Sequence, residues 1–282
     1  MKTAIVTDST AYIPKDIRER LNIHMVPLNV IIGKEAYREE IDITADEFYE
    51  EVKKVEKLPT TSQPSTGQFM ERFEELKQDY DAIISIHLSS GISGTYQGAI
   101  SAGELVDGID VYAFDSELSC RVQGFYVLEA AQMALDGKEP KVIIERMNEI
   151  KKTLNAFFMA DDLSHLQRGG RLSAAAALIG SVLQIKPLLH FKDKVIVPFE
   201  KIRTRKKAMK RIAELLGEAM KEDDGQYKAV IIHAKREAEA IEWKAELQVQ
   251  YPEVEFDISY FGPVIGTHLG EGSMGMGWYK VS

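Results

Sequence analysis

Short apolar runs alternate along this chain with longer stretches in which apolar residues recur at helical spacing. Ala4 to Thr7 reads as a buried strand, followed by an Asp8-Ser9-Thr10 turn, and Pro14 opens a short helix. Val26 to Ile32 is a second β-rich segment, and Thr44 caps an amphipathic helix predicted to run to about Lys57. A polar loop, TTSQPS, follows. Ser65 and Gln68 have capping-box spacing, which predicts a helix from there to about Gln78. Asp81 to His87 is strand-like, a Ser/Gly turn leads into another helix, Val111 to Phe114 adds a strand and Ser119 to Leu135 a helix. Strands alternating with helices predict an α/β fold with a largely parallel sheet and crossover helices.

Pro140 stands near the start of a long linking helix, so the chain is expected to divide into domains at 1–150 and 151–282. The second part opens on an apolar strand, Leu154 to Ala160, followed by the turn DDLSHLQRGGRLS and an Ala-rich helix. Pro187 to His190 and Val195 to Phe199 flank Lys192-Asp193-Lys194 as a hairpin. Thr204 to Met220 and Glu237 to Gln250 read as helices, Ala229 to His233 and Glu255 to Tyr260 as strands. Tyr260 to Ile265 is a further strand candidate ahead of a glycine-rich tail, GTHLGEGSMG. This half is a mixed α/β domain.

Composition narrows the function. A chain of 282 residues, 45% hydrophobic and 28% charged, has material for a sizeable core. The formal charge of −9 opposes a generic nucleic-acid binder. One cysteine, Cys120, makes no internal disulfide, so folding does not depend on an oxidising compartment. No secretory signal opens the chain, and its apolar stretches are too short to span a bilayer. A cytoplasmic protein without stable membrane insertion is expected.

The candidate chemistry lies in polar, glycine-bearing segments expected at strand ends, the edge where parallel α/β domains bind ligands. Ser93, Gly94 and Thr95 follow the Asp81–His87 strand; their hydroxyls and backbone N–H groups either cap the next helix or receive an anion. Thr61 and Ser62 precede the cap Ser65 and are not used by it; they are loop hydroxyls or ligand contacts. His268 can switch between donor and acceptor near pH 7 and oppose a carboxylate, or make a local surface bond. Arg171, in R-G-G-R, offers a fork to an anion or forms a salt bridge between domains.

Other motifs fail. Gly270, Gly272 and Gly275 spell GxGxxG, but too little chain follows to build a βαβ unit. Neither a P-loop, nor HExxH, nor a GxSxG nucleophile elbow is present. Asp8 reads as a turn or cap residue before a metal ligand. The run KIRTRKKAMKR from Lys201 to Arg211 holds seven basic residues and no acid, which makes it a solvated helix face or a docking surface for an acidic or phosphate-bearing partner.

Taken together, VTDST at 6–10, TSQPS at 61–65, SSGISGTYQ at 89–97, GGRLS at 169–173 and GPVIGTHLGEGSMG at 262–275 resemble the DegV family of bacterial fatty-acid-binding proteins. The resemblance covers nearly the whole chain. It implies two α/β domains enclosing a long-chain fatty acid. The carboxylate would be held by Ser93, by Thr61 or Ser62, and through or near His268, with Arg171 near the head-group entrance. Ala174 to Ile185 would wall the hydrocarbon, and the tail loop would return to the head group. Where the family tail usually has GPG, this chain has Gly270-Glu271-Gly272.

The same resemblance implies a carrier rather than an enzyme, with no cofactor of its own. It would present fatty acid to a dihydroxyacetone-kinase-like fatty acid kinase subunit that makes acyl phosphate for phospholipid synthesis. Lys201, Arg203, Arg205 and Lys206 are the candidate docking residues. Two alternatives stay open: an acyl hydrolase or acyltransferase with Ser93 as nucleophile and His268 as base, and a carrier of another amphiphile.

Overall fold

The structure, a computed structural model, describes residues 1–172 and 186–281. Its first sheet has the order β2-β1-β6-β7, all parallel, from β1 (Thr3–Asp8), β2 (Ile23–Val26), β6 (Ala82–His87) and β7 (Asp110–Asp115). Parallel strands covered on both faces must be apolar throughout. Every residue of β1 and β6 is buried. Helices α1 (Lys15–Arg20) and α4 (Thr95–Leu105) are the crossovers, and they leave β1 and β6 toward opposite edges. The ends of β1 and β6 therefore form a topological switch point, the usual ligand edge of such a sheet. There Asp8 accepts from Thr10 N at 3.0 Å and Leu88 N at 2.9 Å, capping a short 3₁₀ turn and tying both loops together.

The apolar stretch Val26 to Ile32 is not one strand. Pro27 has no N–H to give a ladder. The chain breaks there, and β3 (Asn29–Ile32) joins a separate antiparallel sheet, β4-β3-β5, with β4 (Glu35–Arg38) and β5 (Thr60–Ser62). The expected polar loop at TTSQPS thus begins as an edge strand. Both predicted caps form: Thr44 starts α2 (Ala45–Val52), where Glu47 completes a capping box not singled out from the sequence, and the predicted box of Ser65 and Gln68 starts α3 (Thr66–Leu76). Helix α2 stops short of the expected Lys57.

Helices α5 (Cys120–Leu135) and α6 (Pro140–Thr153) lead to the second sheet, of order β10-β9-β8-β13-β11-β12. Its strands are β8 (Asn155–Met159), β9 (Lys186–Lys192), β10 (Val195–Ile202), β11 (Tyr227–His233), β12 (Glu255–Tyr260) and β13 (Met274–Lys280). The predicted β9–β10 hairpin forms. Helices α8 (Arg205–Glu222) and α9 (Glu237–Gln250) pack on this sheet, and a short α7 (Ser164–Arg168) follows β8.

Two expectations at the C-terminal end are corrected. Tyr260 to Ile265 is not a strand: Pro263 occupies the first turn of helix α10 (Pro263–Leu269), where its missing N–H costs nothing. The glycine-rich tail is a loop only over 270–273: its first residues belong to α10, and from Met274 it continues into β13, a central strand antiparallel to both β8 and β11. The Ala-rich segment, including Ser173 and Ala174 to Ile185, lies outside the described residues.

One apolar cluster runs from Ile5 and Ile84 of the first sheet through Val127 on α5 to Val230 and Ile232 of the second. The two sheets are therefore packed through α5. Among the described residues, no helix is long and apolar enough to cross a membrane.

Candidate functional site

Helix α10 carries His268 into the molecule, and all seven of its residues are buried. It packs on α2 closely enough that a Cβ at Gly266 would lie 2.5 Å from the Tyr49 hydroxyl. Tyr49 OH donates to the carbonyl of Phe261 at 2.9 Å. Glu39, fully buried at the end of β4, accepts from Val264 N at 2.7 Å, Ser9 Oγ at 2.5 Å and Tyr12 OH at 2.9 Å. It thereby satisfies a free N–H of the first turn of α10. Burial pushes its carboxyl up to about 8, against the pull of those three donors. Nothing in the sequence around Glu39-Glu40 marks this role.

His268 Nε2 lies 2.9 Å from Thr61 Oγ1 on β5, and its buried Nδ1 has no hydrogen-bond partner among the described residues. Gly169 leaves the room for that ring, since a Cβ there would overlap Nδ1. Burial, with Arg171 and His165 nearby, pulls the imidazole down to about 4. The expected switching near pH 7 is thus corrected: in this environment His268 is neutral at physiological pH.

Ser93 follows β6 at the switch point. Its hydroxyl lies 2.9 Å from Thr95 Oγ1 and accepts from Thr95 N at 3.3 Å, while Gly94 occupies the cap position of α4. Arg171 is held by two carbonyls: Nε donates to Ile92 at 3.2 Å and Nη1 to Gly169 at 2.6 Å. Ser62 lies beside Asn29, whose Nδ2 donates to its hydroxyl at 3.3 Å.

Thr61, Ser62, Ser93, Gly94, Arg171 and His268 line a single polar chamber, together with Gln63, Leu28, Leu88 and Val264. Thr95 stands behind Ser93, fully buried, rather than on the wall. The chamber adjoins an apolar slot, and Ile92, Arg171, Ile265 and His268 line both. The slot runs between the start of α5 (Ser119, Cys120, Val122) and the second sheet (Phe158, Phe191, Ile196, Gly275). Its empty space, mouth included, is about 560 Å³. Burial pushes the Cys120 thiol up to about 12, so this residue behaves as an apolar wall.

His268 is bonded to Thr61, and Ser93 to Thr95. Among the described residues there is no group of three or more His, Cys, Asp or Glu that could hold a metal. The basic run divides. Lys201, Arg203 and Lys206 are exposed. Arg205 turns inward, with Nε 2.7 Å from Glu239 and Nη1 3.4 Å from Asp161.

The family model described as an uncharacterised protein of the DegV family matches residues 2–281. Protein DegV of Bacillus subtilis is 59% identical over 279 residues, 99% of either chain. The crystal structure titled DegV, a fatty acid binding protein from Bacillus subtilis, superposes with a TM-score of 0.94 over 99% of both chains, at that same 59% identity. A structure titled fatty acid binding of a DegV family protein from Thermus thermophilus is 29% identical, with a TM-score of 0.93 over all of both chains. The chain belongs to the DegV family.

Proposed function

We propose that this protein encloses a long-chain fatty acid, with the hydrocarbon in the apolar slot and the carboxylate in the polar chamber. The observation that carries this reading is that a polar chamber and an apolar slot lie side by side, with Ile92, Arg171, Ile265 and His268 lining both. A ligand filling both has one polar end and a slender apolar body. About 14 methylenes carry roughly 11 kcal/mol of gross transfer free energy at ~0.8 kcal/mol each. Desolvation of the head and loss of motion consume a large share. In the tautomer protonated on Nε2, neutral His268 donates to Thr61 and leaves the threonine hydroxyl proton for the carboxylate, and Ser93 supplies a second hydroxyl. Fatty-acid binding by the Bacillus and Thermus relatives supports the same assignment.

On this reading the chain is a non-catalytic, cytoplasmic carrier whose two sheets form domains dividing near residue 150. It presents the carboxylate to a separate ATP-dependent kinase, for acyl-phosphate formation and phospholipid synthesis. Lys201, Arg203 and Lys206 are the docking residues, and Arg205 supports them from beneath.

The test is the affinity of delipidated protein for a long-chain acid and for its methyl ester. Wild type should prefer the acid, and Ser93→Ala should lose roughly 1–3 kcal/mol on the acid alone, the usual cost of an unmade bond to a charged group. Equal affinity of the wild type for acid and ester would overturn the head-group assignment.

A further inference from the structure

The loop that carries Ser93 is held from the second sheet. Ser89 Oγ donates to the carbonyl of Lys194, in the turn of the β9–β10 hairpin, at 2.7 Å. The carbonyl of the same Ser89 accepts from Ile92 N and from Ser93 N, each at 3.1 Å. One residue thus joins the hairpin tip to the backbone of Ser93. A second tie runs in parallel: Lys194 Nζ lies 2.9 Å from Asp115 Oδ2, and Asp115 accepts from Ser90 Oγ at 2.6 Å and Ser90 N at 3.2 Å.

The fit between loop and tip is close. Gly91 lies so near Lys194 that a Cβ on it would overlap the Lys194 carbonyl. Asp193 and Lys194 both have positive φ, 49° and 71°, the left-handed pair that a tight hairpin turn requires. The tip is therefore a short, defined turn with little freedom to move aside. The same hairpin contributes Phe191 and Ile196 to the apolar slot. Ile196 also bridges Leu172, the residue after Arg171.

We infer that the β9–β10 tip is a latch that positions Ser93 for the carboxylate, with Gly91, Ser89 and Lys194 as positioning residues that do not touch the ligand. The inference rests on the head-group reading above. Folding alone does not require the tip to close on this loop, since the hairpin is already paired along its strands. The contact sets where the Ser93 hydroxyl stands relative to Thr61 and Arg171.

The experiment compares acid and methyl-ester affinities of delipidated wild type, Gly91→Ala and Ser89→Ala, with thermal denaturation of each. Both variants should bind the acid about tenfold more weakly, the equivalent of one hydrogen bond of ~1.4 kcal/mol, and the ester within about twofold of wild type. Ser89→Ala removes a single oxygen and adds no bulk, so it stays informative should Gly91→Ala fail to fold. Equal losses for acid and ester, or no loss for either, would overturn the latch. A wild type that does not distinguish acid from ester would instead remove the head-group reading, before any variant is compared.

Discussion

His268 offers a quantitative check on the polar chamber, because its protonation is tied to its burial. In the unfolded chain its imidazole titrates at an ordinary value of about 6.5; in the folded protein burial and Arg171 hold it at about 4. Between these values the unfolded state binds a proton that the native state refuses. Stability therefore falls as pH drops through this window and is fully present above it. The loss is roughly 1.4 kcal/mol per pH unit, so ~2 kcal/mol at about pH 5 and ~3 kcal/mol once both states are protonated.

Glu39 acts in the opposite sense over part of that range, so the absolute stability curve mixes the two. The difference between wild type and His268→Gln isolates one of them, since glutamine keeps a polar partner for Thr61 and does not titrate. Urea unfolding of the delipidated pair from about pH 4.5 to 8 should show wild type losing ground by roughly 2 kcal/mol toward the acid end. A bound carboxylate should raise the imidazole pKa and flatten that slope. A wild-type-minus-variant difference that stays constant across the range would refute the claim that His268 is held neutral by desolvation.

Glu39 has a pKa raised to about 8, so the native state keeps a proton that the unfolded chain releases at about 4.5. Its contribution is complete below that lower value and is lost as pH rises through 8; against Glu39→Gln, wild type should weaken by at most ~1.4 kcal/mol per pH unit in that window, and a flat difference would count against it. For the docking surface, alanine at Lys201, Arg203 and Lys206 together should reduce kinase-dependent phosphorylation and leave lipid binding unchanged, whereas undiminished phosphorylation would discard the patch. Arg205 belongs in a separate variant, because removing its bonds to Glu239 and Asp161 perturbs the packing of α8 on its neighbours.

Local interactions made much of the architecture legible in the sequence. A capping box needs only residues three apart, and Ser65 with Gln68 forms one as its spacing predicts, while Thr44 caps its helix as expected. Parallel strands buried on both faces are rich in apolar residues, so β1 stands out by Ala4-Ile5-Val6 and β6 by Ala82-Ile83-Ile84. The hairpin of β9 and β10 is likewise announced by its polar turn. Tertiary structure decided what local rules cannot express. Thr61 and His268 are 207 positions apart, and only the docking of α10 against β5 brings their side chains to 2.9 Å. The start of strand β13, Met274-Gly275, reads as part of a glycine-rich tail because glycine has low strand propensity. In the fold its glycines are required by crowding: a Cβ at Gly275 would lie 2.6 Å from Phe158 and one at Gly277 2.5 Å from Val122. Spacing along a chain encodes contacts within a turn or a ladder, whereas a cavity is the space left between elements that meet only after folding.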